Sequence, residues 1–167
     1  MDEDFIKLKQ KWSFIENDLF RERLSTYIEK ILEQPMKIEG ILLFGSLVRE
    51  EAVVNQDYMS DIDLIIISND LPEDLWERNE KIHELTADFS ENIQAIWWTH
   101  EEMIKFVEKK FYLILDALDE GKILYDPNNI LRELKRKLFE DLKKKHVIKK
   151  DLYWRWPISK FGEKIKF

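Results

Sequence analysis

The sequence predicts a single α/β domain. Two observations carry that expectation. Short, β-rich apolar runs recur along the chain at 41–44, 64–67, 93–98 and 123–125, each bounded by polar residues as buried strands are. Longer stretches lie between and around them, with apolar residues returning at helical spacing. A chain of 167 residues fits one domain with a real core.

The elements follow in order. Over residues 3–33 a stripe of Phe5, Leu8, Trp12, Ile15, Leu19, Leu24, Tyr27, Ile28, Ile31 and Leu32 predicts helix, with a break near 13–18 that would make two helices. Gln34-Pro35 ends it. Ile41-Leu42-Leu43-Phe44 predicts the first strand and Leu64-Ile65-Ile66-Ile67, opened by Asp61-Ile62-Asp63, the second. After a loop at 68–72, Pro72 suits the first turn of a helix running to about Phe89, with Leu75, Ile82, Leu85 and Phe89 inward. His83 beside that stripe reads as a packed or surface histidine, since no second histidine stands at metal spacing. The third strand is 93–98. Thr99 with Glu102 three residues on forms a capping box for one helix over 99–119, which Gly121 stops. Residues 123–125 predict a short strand before the turn at 126–129. A last helix over 129–145 carries Ile130, Leu134, Leu138 and Leu142 inward.

Composition excludes several classes. Hydrophobic residues make up 44% and charged residues 37%, which suits a soluble domain with a dense ionic surface. No apolar run is long enough to span a membrane, and Met1-Asp2-Glu3-Asp4 has the wrong charge for a signal peptide. A cytoplasmic protein with no membrane partner is expected. The absence of cysteine rules out disulfides and thiolate metal sites. Net charge is −7, unevenly spread: residues 132–167 hold thirteen basic against five acidic residues, a balance of +8, leaving −15 on residues 1–131. A basic tail on an acidic body suits an anionic partner, or it lies on its own body. The aromatics of Tyr153-Trp154-Arg155-Trp156 leave the same two readings open. They can stack on nucleic-acid bases, or cover an apolar groove of the chain itself.

The chemistry concentrates at 38–68. Asp61 and Asp63 are two residues apart at the head of a strand and so present two carboxylates to one face. Neighbouring carboxylates repel unless a positive charge sits between them. A hard cation such as Mg²⁺, which takes one or two carboxylates plus substrate phosphates, answers that. Gly45-Ser46 directly after the first strand lets backbone approach a ligand and can aim amides and a hydroxyl at phosphate. Phosphate grip beside carboxylates suggests phosphoryl or nucleotidyl transfer.

Gly45-Ser46, a spacer, then Asp61-x-Asp63 heading an apolar strand resembles the DNA polymerase β-like nucleotidyltransferases, and above all their minimal single-domain members. The resemblance runs from about residue 38 to the Leu124-Tyr125-Asp126-Pro127 turn. Fourteen residues separate Ser46 from Asp61, more than is usual in the family; surface loops absorb such insertions at small cost. The resemblance implies an α/β (α+β) fold, a small mixed β-sheet of the nucleotidyltransferase type with helices packed on one face and extra N- and C-terminal helices. On that basis residues 1–35 form an N-terminal helical extension, 36–127 the core, and 128–167 the C-terminal helix and basic aromatic tail.

It further implies an NTP substrate and Mg²⁺ (or Mn²⁺) on Asp61 and Asp63, the catalytic carboxylates, with Gly45 and Ser46 on the terminal phosphates. Arg49 would offset charge on the leaving pyrophosphate, or pair with Glu50 or Glu51. The family's third carboxylate stands on the third strand, where this sequence has Gln94, which is neither a base nor a good Mg²⁺ ligand. Glu91 and Asp88 in the preceding loop are the acids nearest in sequence. The expected activity is transfer of an NMP from an NTP to a hydroxyl. The alternatives are a catalytically weak nucleotide- or nucleic-acid-binding protein, or an antitoxin-like partner of a HEPN-type protein.

Overall fold

Residues 12–151 and 153–157 are described by the structure, a computed structural model. Of the helix expected over 3–33, the first nine residues lie outside the described residues. Trp12 to Phe14 form a turn, and helix α1 spans Asp18–Leu32. Its start is set by Asn17, whose side chain accepts from the Leu19 amide at 2.9 Å and the Phe20 amide at 3.4 Å. The expected break is therefore a helix cap. Strands β1 (Gly40–Phe44) and β2 (Ile62–Ile67) follow, then α2 (Leu75–Thr86), β3 (Ile93–Trp98), α3 (His100–Glu108), α4 (Tyr112–Glu120), β4 (Lys122–Tyr125) and α5 (Ile130–Lys144). A short hairpin closes the described chain, β5 (Ile148–Lys150) with β6 (Tyr153–Arg155).

The main sheet has the order β3-β2-β1-β4. β1 runs antiparallel to both β2 and β4, while β2 and β3 are parallel, joined by α2. The sheet is mixed, as the resemblance implies. Strand alternation sorts its side chains between two cores. Ile41, Leu43, Leu64 and Ile66 face one cluster with Phe20, Leu24, Tyr27, Ile28 and Ile31 of α1. Leu42, Ile65 and Ile67 face the other, with Met103 and Val107 of α3, Ile114 and Leu118 of α4, and Leu134, Leu138 and Leu142 of α5. Fully burying one such side chain contributes about 1.5–3 kcal/mol. The N-terminal helix thus covers the face opposite α3, α4 and α5.

Two expectations change. The helix expected over 99–119 is two helices. The Thr99–Glu102 capping box starts α3 as expected. The chain then turns at Lys110, which adopts φ 51°, and the Phe111 amide bonds back to the Phe106 carbonyl at 3.1 Å. This left-handed cap satisfies the last carbonyls of α3. The Lys110 ammonium is buried against Asp141 at 2.6 Å, which anchors the turn on α5. The second correction concerns α2. It begins at Leu75, with Asp74 as cap accepting from the Trp76 and Glu77 amides at 2.9 and 3.0 Å. Leu75, expected inward, sits on the first turn at 67% exposure, while Ile82, Leu85 and Phe89 do pack on the first core.

Two buried polar groups fix the far end of the sheet. Arg78 is 6% exposed and donates to both Glu102 oxygens at 3.0 and 2.9 Å, tying α2 to α3. Asp126, in the turn after β4, accepts from the Leu131 and Arg132 amides at 3.2 and 3.1 Å and so caps α5. The extra residues between Ser46 and Asp61 fold on themselves. Val54 bridges Met59, and the Asn55 side chain accepts from the Asp57 and Tyr58 amides. Leu47, Val48, Ala52, Val54 and Met59 pack on the first core, so the insertion is a structured flap.

Candidate functional site

The sequence-predicted residues gather where β1 ends and β2 begins. In register, Asp63 lies between Phe44 of β1 and Gln94 of β3. Alternation places Asp63 on the sheet face that carries Ile65 and Ile67. Asp61 stands just ahead of the strand and is exposed, whereas Asp63 is half-buried. Gly45 follows β1 with φ 78°, a conformation that glycine adopts freely and other residues do not. A Cβ built there would lie 2.9 Å from the Asp63 Cγ and nearer still to Oδ2. The turn backbone therefore rests directly on the Asp63 carboxylate. Position 45 requires glycine twice, for its φ and for this contact.

The electrostatics follow from that packing. Burial raises the Asp63 pKa from its ordinary value, and the neighbouring Asp61 charge raises it further, while Arg49 pulls it down. Arg49 itself is held by Glu51, its Nε donating to Oε2 at 2.8 Å, with Glu120 Oε2 3.8 Å from Nη1. The Glu51 hydrogen bond raises the Arg49 pKa against a desolvation cost, and Glu51, Glu120 and Asp116 add to it by charge. The guanidinium thus stands in the field of Asp63 on one side and of the α4 acids on the other.

A family model described as polymerase beta, nucleotidyltransferase, matches residues 26–130. The chain belongs to that family. The match runs from the second half of α1 to the first residue of α5, and so contains Gly45, Ser46, Arg49, Asp61, Asp63 and Gln94. No curated protein matches the chain. Among solved structures, it is similar to a toxin–antitoxin with AMP-PNP at 16% identity, covering 74% of this chain and 86% of that one, with a TM-score of 0.44. The toxin–antitoxin MntA-HepT gives 15%, 74%, 87% and 0.45. A tri-AMPylated Shewanella oneidensis HEPN toxin in complex with MNT antitoxin gives 16%, 74%, 87% and 0.45.

Nucleotidyltransferases of this family generally use an NTP and a divalent metal. Two adjacent carboxylates, one of them half-buried, suit a hard cation, because its charge offsets both the cost of burying the Asp63 carboxylate and the repulsion from Asp61 that together raise the Asp63 pKa. Among the described residues no three acids or histidines converge to hold a metal, so substrate oxygens would have to complete the set. Gln94 is exposed beside Asp63, on the same face. Neither loop acid before β3 makes up for it. Glu91 is hydrogen-bonded to Arg23 of α1, which lowers its pKa and holds it on the opposite face. Asp88 is exposed at the end of α2. His83 is also exposed.

Sequence reading missed the α4 side of this end. Gly121 is buried where α4 enters β4, and a Cβ there would sit 2.8 Å from the Leu43 carbonyl. That close approach brings Glu120 and Asp116 beside the loop that carries Arg49. No motif or spacing marks these two acids, and only the pairing of β4 with β1 reveals them.

Proposed function

We propose that this chain transfers an NMP from an NTP to a hydroxyl acceptor. The observation that supports this most is the seating of the Gly45 turn on the Asp63 carboxylate, beside Asp61. It joins a phosphate-gripping turn to a cation-binding pair in one contact. The amides after Gly45 and the Ser46 hydroxyl would hold the terminal phosphates. Asp61 and Asp63 would hold Mg²⁺ or Mn²⁺, which supplies charge neutralisation at the phosphates when bound. Arg49 would neutralise charge on the leaving pyrophosphate. In the reaction an acceptor oxygen bonds to the α-phosphorus, the bond to the bridging oxygen of pyrophosphate breaks, and the acceptor proton leaves to solvent. Gln94 cannot take that proton, so slow transfer is expected.

The test is label transfer from ATP, CTP, GTP and UTP to RNA and protein acceptors, a HEPN-type protein among them. Asp63→Asn should abolish transfer. Gln94→Glu should raise it, by up to about 10²–10⁴-fold if the new carboxylate acts as a general base. Full transfer by Asp63→Asn would refute the proposal. A second reading draws on Gln94 as well: a nucleotide- or nucleic-acid-binding protein with little chemistry, or an antitoxin-like partner of a HEPN-type protein as the family resemblance implies. Nucleotide binding without transfer by wild type and the Gln94 variants alike would favour it.

A further inference from the structure

The β5–β6 hairpin is tied to the α4 side of the proposed nucleotide site. Its Lys149 ammonium meets Asp119 at 2.7 Å and Asp116 at 3.9 Å, and hydrogen-bonds Glu120 through Oε1. Trp154, paired with Lys149 across the hairpin, donates from Nε1 to Asp116 at 2.9 Å. It also packs 6.3 Å from the Phe139 ring of α5, and the Lys149 ammonium lies 5.5 Å from its own ring centre. The second oxygen of Glu120 faces Arg49 at 3.8 Å. Glu120 is thus shared between two cations, held closely by Lys149 and loosely by Arg49.

That sharing has a consequence for the arginine. A carboxylate engaged on one oxygen by an ammonium attracts a second cation less, because much of its charge is already offset. Free of Lys149, Glu120 would close on Arg49, and the acids of α4 would stand uncompensated beside the phosphates. Burial works against the Lys149 ammonium, yet Asp119 and Glu120 outweigh it and its pKa is raised, as expected of a cation held by both acids.

We propose that Lys149 is a positioning residue for the nucleotide site: by occupying Glu120 and Asp119 it keeps Glu120 from closing on Arg49 Nη1, and so leaves the guanidinium nitrogens that Glu51 does not hold open to a triphosphate. The inference rests on the nucleotidyl-transfer reading above. It couples the C-terminal hairpin to a site 100 residues earlier in the chain.

The experiment has two arms on the full chain. In the first, calorimetry measures ATP affinity with Mg²⁺. Lys149→Met should weaken binding roughly two- to fivefold, the range of a partly exposed ion pair. Lys149→Arg should keep wild-type affinity, and Glu120→Gln should restore it in the Lys149→Met background. Lys150→Met removes the same charge from the exposed neighbour and should change nothing. Equal losses in Lys149→Met and Lys150→Met would mean bulk charge and would overturn the proposal. So would Glu120→Gln failing to restore. The second arm uses no nucleotide: NMR follows exchange of the Arg49 guanidinium protons with water, which should slow in Lys149→Met and quicken in Glu120→Gln. Unchanged exchange in both variants overturns the relay even where ATP binds. If wild type binds none of ATP, CTP, GTP and UTP while exchange responds as expected, the transfer reading fails and with it the nucleotide role of Lys149, although its hold on Glu120 and Arg49 stands. Glu120→Gln leaves the hairpin's Asp119 and Asp116 contacts in place, so the relay stays testable if Lys149→Met does not fold.

Discussion

Gly45→Ala separates backbone strain from contact at the site. At φ 78° an alanine carries a left-handed penalty of about 1–2 kcal/mol. Its Cβ also meets the Asp63 carboxylate, 2.9 Å from Cγ and closer to Oδ2, so Asp63 or the turn must shift. Forced overpacking of this kind costs about 1–3 kcal/mol. The sum is about 2–5 kcal/mol, and each kcal/mol lowers Tm by about 2–4 °C in a chain of this size. Urea denaturation of wild type, Gly45→Ala, Asp63→Ala and the double variant splits the two parts. In the Asp63→Ala background the carboxylate is gone and only the residue's Cβ, 3.1 Å from the new methyl, is left to yield slightly, so Gly45→Ala should cost little beyond the strain of about 1–2 kcal/mol there. The coupling energy, about 1–3 kcal/mol, measures the contact itself. Equal costs of Gly45→Ala in both backgrounds would refute the seating of the turn on Asp63, and with it the main support for the proposed function.

Two further predictions follow from the same geometry. Because the folded protein raises the Asp63 pKa above its ordinary 3.8, folding binds a proton more tightly there, and stability falls as pH rises through the window from about 3.8 to that raised value. Asp63→Asn should therefore match wild type below that window and exceed it at neutral pH, by at most about 1 kcal/mol once solvent screening of a half-exposed group is counted; a variant less stable at pH 7 than at pH 3, relative to wild type, contradicts the sign. Trp154→Ala should lower stability by about 1–3 kcal/mol through lost packing and the freed Asp116, read by thermal melting. If it leaves Tm unchanged and instead abolishes salt-sensitive RNA binding, the tail works on nucleic acid and not on α4.

Much of the arrangement was legible in the residues because it is local. Strand alternation alone puts Asp61 and Asp63 toward one side, and a glycine right after a strand announces a turn that other residues resist. Gln94 was set at the site by the family resemblance, as the position of the third carboxylate, and the parallel pairing of β3 with β2 does bring it level with Asp63. Thr99 and Glu102 stated their capping box at a spacing of three. The helix break at Lys110 was not legible. Lysine has no preference for a left-handed backbone, and what stabilises it there is Asp141, thirty-one residues on.

The tail marks the division most sharply. Composition established that it is basic and aromatic and that the body is acidic, but composition cannot choose between an outside anion and the chain's own carboxylates. That choice depends on distance. β4 pairs with β1, α4 is thereby carried to the site end of the sheet, and Asp116, Asp119 and Glu120 come within reach of Lys149 and Trp154. Charges attract according to separation in space, so the sequence by itself determined which groups exist and which strand face they occupy, while only the tertiary structure decided which of them meet.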